Sequence, residues 1–85
     1  MKPVEIYTKP GCGFCHAAKR LLREKGVAFT EYDLIRSPNL RPEMIERAKG
    51  RRTVPQIFVG EVHIGGCDDL QALHRLGRLD AVLAD

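Results

Sequence analysis

The chain has 85 residues and a formal net charge of +3 at pH 7, and its basic residues are dispersed rather than clustered. We expect a single domain over residues 1–85 from this length, and the mild charge without a recognised motif argues against nucleic-acid binding. No apolar run approaches a membrane span and no signal-peptide core follows the first residue, so we expect a cytoplasmic protein with no membrane association.

The first third of the chain predicts a strand, a helix and a second strand. Residues 4–8 alternate apolar and polar side chains, as a half-buried strand does. The predicted helix covers residues 13–25 and ends at Gly26. Its apolar positions recur at helical spacing and are Phe14, Ala17, Ala18, Leu21 and Leu22. Residues 27–34 form the second predicted strand, and this order favours a parallel pair with a right-handed crossover.

The middle of the chain predicts a short helix followed by a hairpin. The helix begins near Pro42, since proline is tolerated in a first turn, and it ends at Gly50. A loop is expected over residues 51–55. Residues 56–59 and 62–64 then form the two strands of the hairpin, which are joined by a tight turn.

The last part of the chain predicts two helices. Asp68 and Asp69 are expected to cap the first of them. Its predicted buried positions are Leu70, Leu73 and Leu76. Asp80 is expected to cap a short final helix. The complete order of elements predicts an α/β fold, with a four-stranded mixed sheet flanked by helices.

Two cysteines lie where the first strand gives way to the first helix. Three cysteines, with only two close in sequence, fit a redox or metal role better than a secreted disulfide framework. The free N–H groups and the dipole of a helix N-terminus favour a thiolate at Cys12, and Lys9 adds a nearby positive charge. Cys15 is expected to be more enclosed. We therefore predict Cys12 as the nucleophile and Cys15 as the thiol that attacks a mixed disulfide formed on it.

With these residues in view, the sequence resembles the glutaredoxin family of the thioredoxin-fold superfamily, in particular its small bacterial dithiol members. The resemblance covers nearly the whole chain and depends on three separated motifs in the right order. These are Tyr7-Thr8-Lys9 followed by Cys12-Gly13-Phe14-Cys15, then Thr53-Val54-Pro55-Gln56, and then Gly65-Gly66-Cys67-Asp68-Asp69-Leu70. The chain departs from the family at Gly13, where proline is common, and at Phe14, where tyrosine is common.

The resemblance implies a binding site for glutathione around the cysteine pair. Its implied members are Lys9, Phe14, Arg52, Thr53, Val54, Pro55, Gly66, Cys67, Asp68 and Asp69. The Val54-Pro55 bond is implied to be cis, with the Val54 backbone pairing with the cysteine part of glutathione. The backbone of Cys67 and Asp68 suits the γ-glutamyl carboxylate, and the Asp68 side chain suits the ammonium. Lys9 and Arg52 suit the glycine carboxylate, with Arg41 and Arg51 as further candidates.

The implied activity is glutathione-dependent reduction of glutathione mixed disulfides and protein disulfides. Glutathione is the co-substrate, and disulfide-bearing or glutathionylated proteins are the partners. The alternative is a carrier or sensor of a [2Fe-2S] cluster, with Cys12 and glutathione as ligands, because Gly13 removes the stiff ring and lets a second subunit approach. We expect a monomer, and a dimer only if a cluster is bound.

Other interpretations of the cysteines have less support in the sequence. Structural zinc usually needs four ligands, and only His63 and Cys67 could complete the set. Residues 12–16 match the Cys-x-x-Cys-His pattern of haem attachment, with His16 as the histidine. However, the chain has predicted strands where a small cytochrome would be helical, and it lacks an export signal. Thioredoxins carry a tryptophan before the first cysteine, and this chain has none. Cys67 itself is either a small packed residue or a redox-sensitive thiol.

Overall fold

The computed structural model describes residues 1–84 and contains a four-stranded mixed sheet with helices on its faces. The strands are β1 (Val4–Thr8), β2 (Thr30–Asp33), β3 (Gln56–Val59) and β4 (Val62–Gly65). The helices are α1 (Gly13–Glu24), α2 (Arg41–Arg47), α3 (Cys67–Arg75) and α4 (Leu79–Leu83), and one turn of 3₁₀ helix at Pro38–Leu40 leads into α2. This confirms the predicted fold class.

The strands lie in the order β2-β1-β3-β4 across the sheet. The β1 strand is parallel to β2 and antiparallel to β3, and β3 is antiparallel to β4. Because β4 therefore runs in the same direction as β1, the helices α1 and α3 both begin at one edge of the sheet. The sequence motifs that precede these two helices meet at that edge.

One face of the sheet is aliphatic and packs against three of the helices. Side chains alternate between the two faces of a strand, so every second residue of β1 and β3 points to this side. The buried residues of this core are Val4, Ile6, Ala18, Leu22, Val27, Ile57, Val59, Cys67, Leu70, Leu79 and Leu83. They fix α1, α3 and α4 against the sheet.

The opposite face is aromatic and polar, and it packs against α2. Tyr7 lies edge-on to Phe58, with 5.7 Å between ring centroids, and the guanidinium of Arg47 lies 4.1 Å from the centre of the Phe58 ring. Arg47 donates hydrogen bonds of 2.9 Å to the Tyr7 hydroxyl and to the Glu5 carboxylate. Tyr32 donates to the other oxygen of Glu5 at 2.8 Å. One cation thus ties α2 to β1 and β3.

The start and end of α1 agree with the sequence prediction. Cys12 is the N-cap, with extended backbone geometry, and its sulfur accepts a hydrogen bond from the backbone N–H of Cys15. Gly26 has a φ of 72°, which an L side chain rarely adopts, and the chain leaves the helix there. The helix therefore has a thiol as its capping group.

The second strand is shorter than predicted. It covers Thr30–Asp33 and not residues 27–34. Val27 is buried in the aliphatic core, but its N–H donates to the carbonyl of Leu22 at 2.9 Å. The backbone of this segment closes the end of α1 before it joins the sheet, so its apolar alternation reflects packing and not strand pairing.

Asp69 contributes to the cap of α3 as predicted, but the predicted capping roles of Asp68 and Asp80 were wrong. Gly66 is the N-cap of α3, and Asp69 lies inside the first turn, where its carboxylate accepts from the Gly66 N–H at 2.9 Å. Arg78 is the N-cap of α4, and Asp80 instead forms an exposed ion pair with Lys25 at 2.8 Å. Each acidic residue lies within the first turn of its helix, where its negative charge interacts favourably with the helix dipole.

The predicted burial of Leu76 was also wrong, because this side chain is 67% exposed beyond the end of α3. Leu70 is fully buried, and Leu73 packs at the margin of the core, as predicted. No helix within residues 1–84 is long and apolar enough to cross a membrane.

Glu5 is expected to stabilise the fold at neutral pH and to lose this effect in acid. The hydrogen bond from Arg47, followed by the one from Tyr32, holds the pKa of Glu5 below its usual range. A lowered pKa means that the stabilisation is present above the ordinary pKa of a glutamate and disappears as the pH falls through the folded-state value. Glu5→Gln should therefore cost about 1–2 kcal/mol at pH 7 and much less at pH 3.

Urea denaturation of both proteins at the two pH values measures this difference. Glu61→Gln, in the exposed turn between β3 and β4, is the matched control and should change the free energy of unfolding little at either pH. An equal cost of Glu5→Gln at pH 7 and pH 3 would show that the charge of Glu5 is not what stabilises the fold.

Candidate functional site

Three loops meet at the edge of the sheet where β1 ends. The first joins β1 to α1 and contains Cys12, the second precedes β3 and contains Val54, and the third joins β4 to α3 and contains Gly66. The strand order places β1 and β3 side by side in the centre of the sheet, so the first two loops are neighbours. Ends of central strands are the usual location of sites in α/β sheets.

The sulfur of Cys12 lies between two backbone groups. The N–H of Cys15 donates to it at 3.1 Å, and the carbonyl oxygen of Val54 lies 3.8 Å away. The N–H belongs to the first turn of α1, where backbone donors have no helical acceptor and the helix dipole favours negative charge. The geometry therefore gives the Cys12 sulfur one backbone donor and one backbone acceptor.

Cys15 is more enclosed than Cys12, as predicted. Its exposed fraction is 1%, compared with 8% for Cys12. Burial, and then the hydrogen bond with Cys12, raise the pKa of Cys15 to about 12. At neutral pH, Cys15 is therefore a protonated thiol held one helical turn below the more accessible sulfur.

A cleft of about 370 Å³ lies beside the cysteine pair. Its lining residues are Phe14, Arg51, Thr53, Val54, Pro55, Gly66, Cys67, Asp68 and Asp69. Phe14 is 65% exposed and forms an apolar wall, while the charges come from one arginine and two aspartates. The Val54-Pro55 bond is cis, as the family resemblance implied. The cleft thus combines an apolar wall, exposed backbone and charges of both signs.

The structure brings most of the predicted glutathione residues together in this cleft. The two exceptions are Lys9 and Arg52, which are exposed but do not line it. The backbone carbonyl of Arg52 accepts a hydrogen bond from Arg41 at 3.2 Å. Arg51 takes the place beside the cleft that the sequence analysis gave first to Arg52. Two consecutive arginines give no sequence signal that distinguishes them.

Gly65 is required where Arg51 and Asp69 meet. Its φ is 114°, and a Cβ atom at this position would lie 2.2 Å from an oxygen of Asp69 and 2.8 Å from a nitrogen of Arg51. These two side chains form an ion pair of 3.2 Å. The hydrogen bond from Gly66, and then the contact with Arg51, lower the pKa of Asp69. The absence of a side chain at Gly65 therefore allows α3 and the loop before β3 to be joined by a charge pair.

Cys67 is a packed residue, in agreement with the structural interpretation of the sequence. It is buried in the aliphatic core at the start of α3. Burial and the neighbouring charge of Asp68 raise the pKa of the Cys67 thiol. No group of three or more His, Cys, Asp or Glu side chains within residues 1–84 is placed to hold a metal ion, so the set with His63 and Cys67 considered for zinc is not assembled.

A capping thiol in a Cys-x-x-Cys pair, next to a cis-proline loop on a mixed sheet, supports thiol chemistry. The pair can form a disulfide reversibly, since one sulfur is accessible and the other lies one turn below it. The fold and the site together place this chain among the thiol–disulfide oxidoreductases of the thioredoxin-fold superfamily.

Comparisons with known proteins narrow this class. The glutaredoxin family model matches residues 4–64. Glutaredoxin 3 of Escherichia coli K12 is 55% identical over 83 residues, which are 98% of this chain and 99% of the relative. The solution structure of a Brucella melitensis glutaredoxin has 57% identity and a TM-score of 0.83, and covers 98% of this chain and 89% of its own.

A crystal structure of a buckwheat glutaredoxin–glutathione complex matches with 32% identity and a TM-score of 0.87. The match covers 96% of this chain and 76% of the other. The chain belongs to the glutaredoxin family.

Cys12 is expected to be alkylated before the other two cysteines at pH 7. It is the most exposed of the three, whereas burial raises the pKa of both Cys15 and Cys67 and keeps them protonated. Brief treatment of the reduced protein with iodoacetamide, followed by peptide mass spectrometry, identifies the first site. Cys12→Ser should remove the fast phase, and Cys67→Ser should retain it. A first label on Cys15 or Cys67 would contradict the assignment of the nucleophile.

Proposed function

We propose that this chain is a glutathione-dependent thiol–disulfide oxidoreductase that acts through Cys12 and Cys15. The position of the Cys12 sulfur is the observation on which the proposal depends. This sulfur lies 3.1 Å from a helix N–H and 3.8 Å from the Val54 carbonyl, beside a cleft of the size of a small peptide. Glutathione is the proposed co-substrate, and glutathionylated or disulfide-bearing proteins are the proposed partners.

The chemistry of the cleft suits glutathione, which has two carboxylates and one ammonium group. Arg51 provides a cation at one side, and the backbone N–H groups in the first turn of α3, which have no acceptor within the helix, can donate to a carboxylate. Asp68 is exposed beside them and suits the ammonium. The backbone of Val54 lies between these groups, where it can pair with the cysteine part of the tripeptide. The buckwheat relative described in complex with glutathione supports this choice of ligand.

The first step exchanges one disulfide for another. The Cys12 thiolate attacks the glutathione sulfur of a mixed disulfide, a bond forms between these two sulfurs, and the substrate thiolate leaves. A second glutathione thiolate then attacks the glutathione sulfur on Cys12. This step forms glutathione disulfide and restores the Cys12 thiolate. Neither step uses Cys15.

Cys15 completes a second route when the substrate is a protein disulfide. Its thiolate attacks Cys12 in the mixed disulfide, forms the Cys12–Cys15 bond and releases the partner thiolate. Part of the raised pKa of Cys15 comes from the hydrogen bond and charge of Cys12, in addition to burial. A Cys12 sulfur held in a disulfide has no charge, so Cys15 loses its proton more readily at the stage when it is needed as a nucleophile.

The alternative of a [2Fe-2S] cluster would need ligands from outside a single chain. Cys12 alone cannot hold a cluster, and no larger group of ligating side chains is assembled in the described part of the chain. Gly13 leaves open space at the position of its missing side chain, as the sequence interpretation required. The arrangement of Cys12 and Cys15 in one chain favours thiol–disulfide exchange as the primary function.

The two cysteines are expected to differ in the substrates that require them. Cys12→Ser should abolish turnover of both a small glutathione mixed disulfide and a protein disulfide, because it removes the nucleophile. Cys15→Ser should retain most of the first activity and lose the second. Glutathione-coupled assays of each substrate measure the difference. If Cys15→Ser were as inactive as Cys12→Ser with the small mixed disulfide, the proposed roles would be wrong.

Arg51 is expected to contribute more to glutathione binding than Arg52. Arg51 lines the cleft, whereas Arg52 does not. Arg51→Gln should raise the KM for a glutathione mixed disulfide by about three- to tenfold, while Arg52→Gln should change it by less than about twofold. Steady-state kinetics of this matched pair make the comparison. A larger increase in KM for Arg52→Gln than for Arg51→Gln would show that Arg52, and not Arg51, contacts the glutathione carboxylate.

A further inference from the structure

Gln56 is a fully buried polar residue at the start of β3, directly after the cis-proline loop. Its side-chain nitrogen Nε2 donates to the backbone carbonyl of Thr53 at 3.0 Å and lies 3.3 Å from the Thr53 hydroxyl. Its oxygen Oε1 lies 2.7 Å from Nε2 of His63 on β4. The side chain thus connects the loop beside the cleft to the outer strand of the sheet.

The direction of these hydrogen bonds follows from what each group can do. The Thr53 carbonyl can only accept, so the amide nitrogen of Gln56 must face it. The amide oxygen then faces His63, and the His63 Nε2 must have a hydrogen to donate. Removing a hydrogen-bond partner from a buried amide destabilises the folded protein. No buried side-chain nitrogen or oxygen in residues 1–84 lacks a partner.

His63 is held in place by its neighbour in the sheet. It lies opposite Phe58 in the pairing of β3 with β4, and the two rings stack with 4.9 Å between centroids and 24° between planes. The stack leaves Nε2 directed at Gln56. A rigid aromatic pair therefore fixes one end of the chain of hydrogen bonds that ends at Thr53.

The Thr53 carbonyl belongs to the same peptide unit as the Val54 N–H. This unit is trans, since the only cis bond in residues 1–84 is Val54-Pro55. In a planar trans peptide the N–H points away from the carbonyl, so a carbonyl held by Gln56 directs the Val54 N–H away from Gln56. The next carbonyl, that of Val54, lies 3.8 Å from the Cys12 sulfur. Both polar groups of the Val54 backbone are thereby oriented.

We propose that Gln56 and His63 are positioning residues, which hold the Thr53–Val54 peptide in the orientation that binds the cysteine part of the substrate. The proposal depends on the proposed glutathione-linked function and adds to it two residues that do not line the cleft. They act through the backbone of the loop and have no part in the transfer of electrons between sulfurs.

Gln56→Met is the main test, because methionine has a similar length and no amide. It should raise the KM for a glutathione mixed disulfide by about three- to tenfold, leave kcat within about twofold, and leave the alkylation rate of Cys12 unchanged. A purely structural role would lower the free energy of unfolding and leave this KM as it is. Gln71→Met, at a half-buried position of α3 that does not line the cleft, is the matched control and should not change the KM.

His63 offers an independent test that keeps the ring stack. His63→Phe retains an aromatic ring against Phe58 and removes the donor, so it should raise the same KM, and His63→Gln should restore it with a side-chain N–H. The double variant Gln56→Met with His63→Phe should resemble Gln56→Met alone, because both changes break one chain of hydrogen bonds. Multiplied effects in the double variant would contradict this.

A measurement without glutathione separates this proposal from the proposed function. The backbone order parameter of Val54, from ¹⁵N relaxation of the free protein, should fall in Gln56→Met and not in Gln71→Met. If the wild type does not turn over glutathione mixed disulfides, the proposed function fails, whatever the order parameter shows. If the wild type is active and Gln56→Met has an unchanged KM and an unchanged order parameter, the positioning proposal is overturned.

Discussion

The hydrogen bond from the Cys15 N–H to the Cys12 sulfur is the interaction on which the site depends. It makes a thiol the cap of α1 and places that thiol where the helix provides an unpaired donor. It also fixes the relation between the two cysteines, since the donor belongs to the second one. The burial of Cys15 keeps this residue protonated and leaves Cys12 as the sulfur that meets the substrate.

The sheet determines what surrounds that sulfur. Because β1 and β3 are neighbours, the loop before β3 reaches the head of α1, and because β4 runs parallel to β1, the start of α3 reaches the same edge. The two faces of the sheet pack against different elements. The aliphatic face fixes the helices that carry the cysteines, and the polar and aromatic face holds α2 and the side chains of Gln56 and His63.

The fold could be predicted from the sequence wherever a local pattern and tertiary packing agree. The alternation in β1 and the helical spacing of α1 gave the correct elements, and the three motifs gave the family. Patterns misled where one residue type serves two purposes. Val27 belongs to a segment that alternates like a strand, but its backbone closes the end of α1. Asp80 is a residue type that often caps helices, but here it forms an ion pair with Lys25.

The site was less predictable where it depends on residues that come together only through the sheet. The choice between Arg51 and Arg52 requires knowing which of them faces Asp69 across Gly65. The contact of Gln56 with His63 depends on the register of β3 and β4, which includes an irregularity between residues 57 and 58. Neither arrangement has a local sequence signal, because spacing along the chain does not determine either contact.

The location of the mixed disulfide with glutathione tests the central claim most directly. Cys15→Ser prevents resolution within the chain, so the adduct should accumulate when the reduced variant is mixed with glutathione disulfide. Peptide mass spectrometry should find glutathione on Cys12 and none on Cys67. Glutathione on Cys67 with Cys12 unmodified, or no adduct at all, would contradict the account.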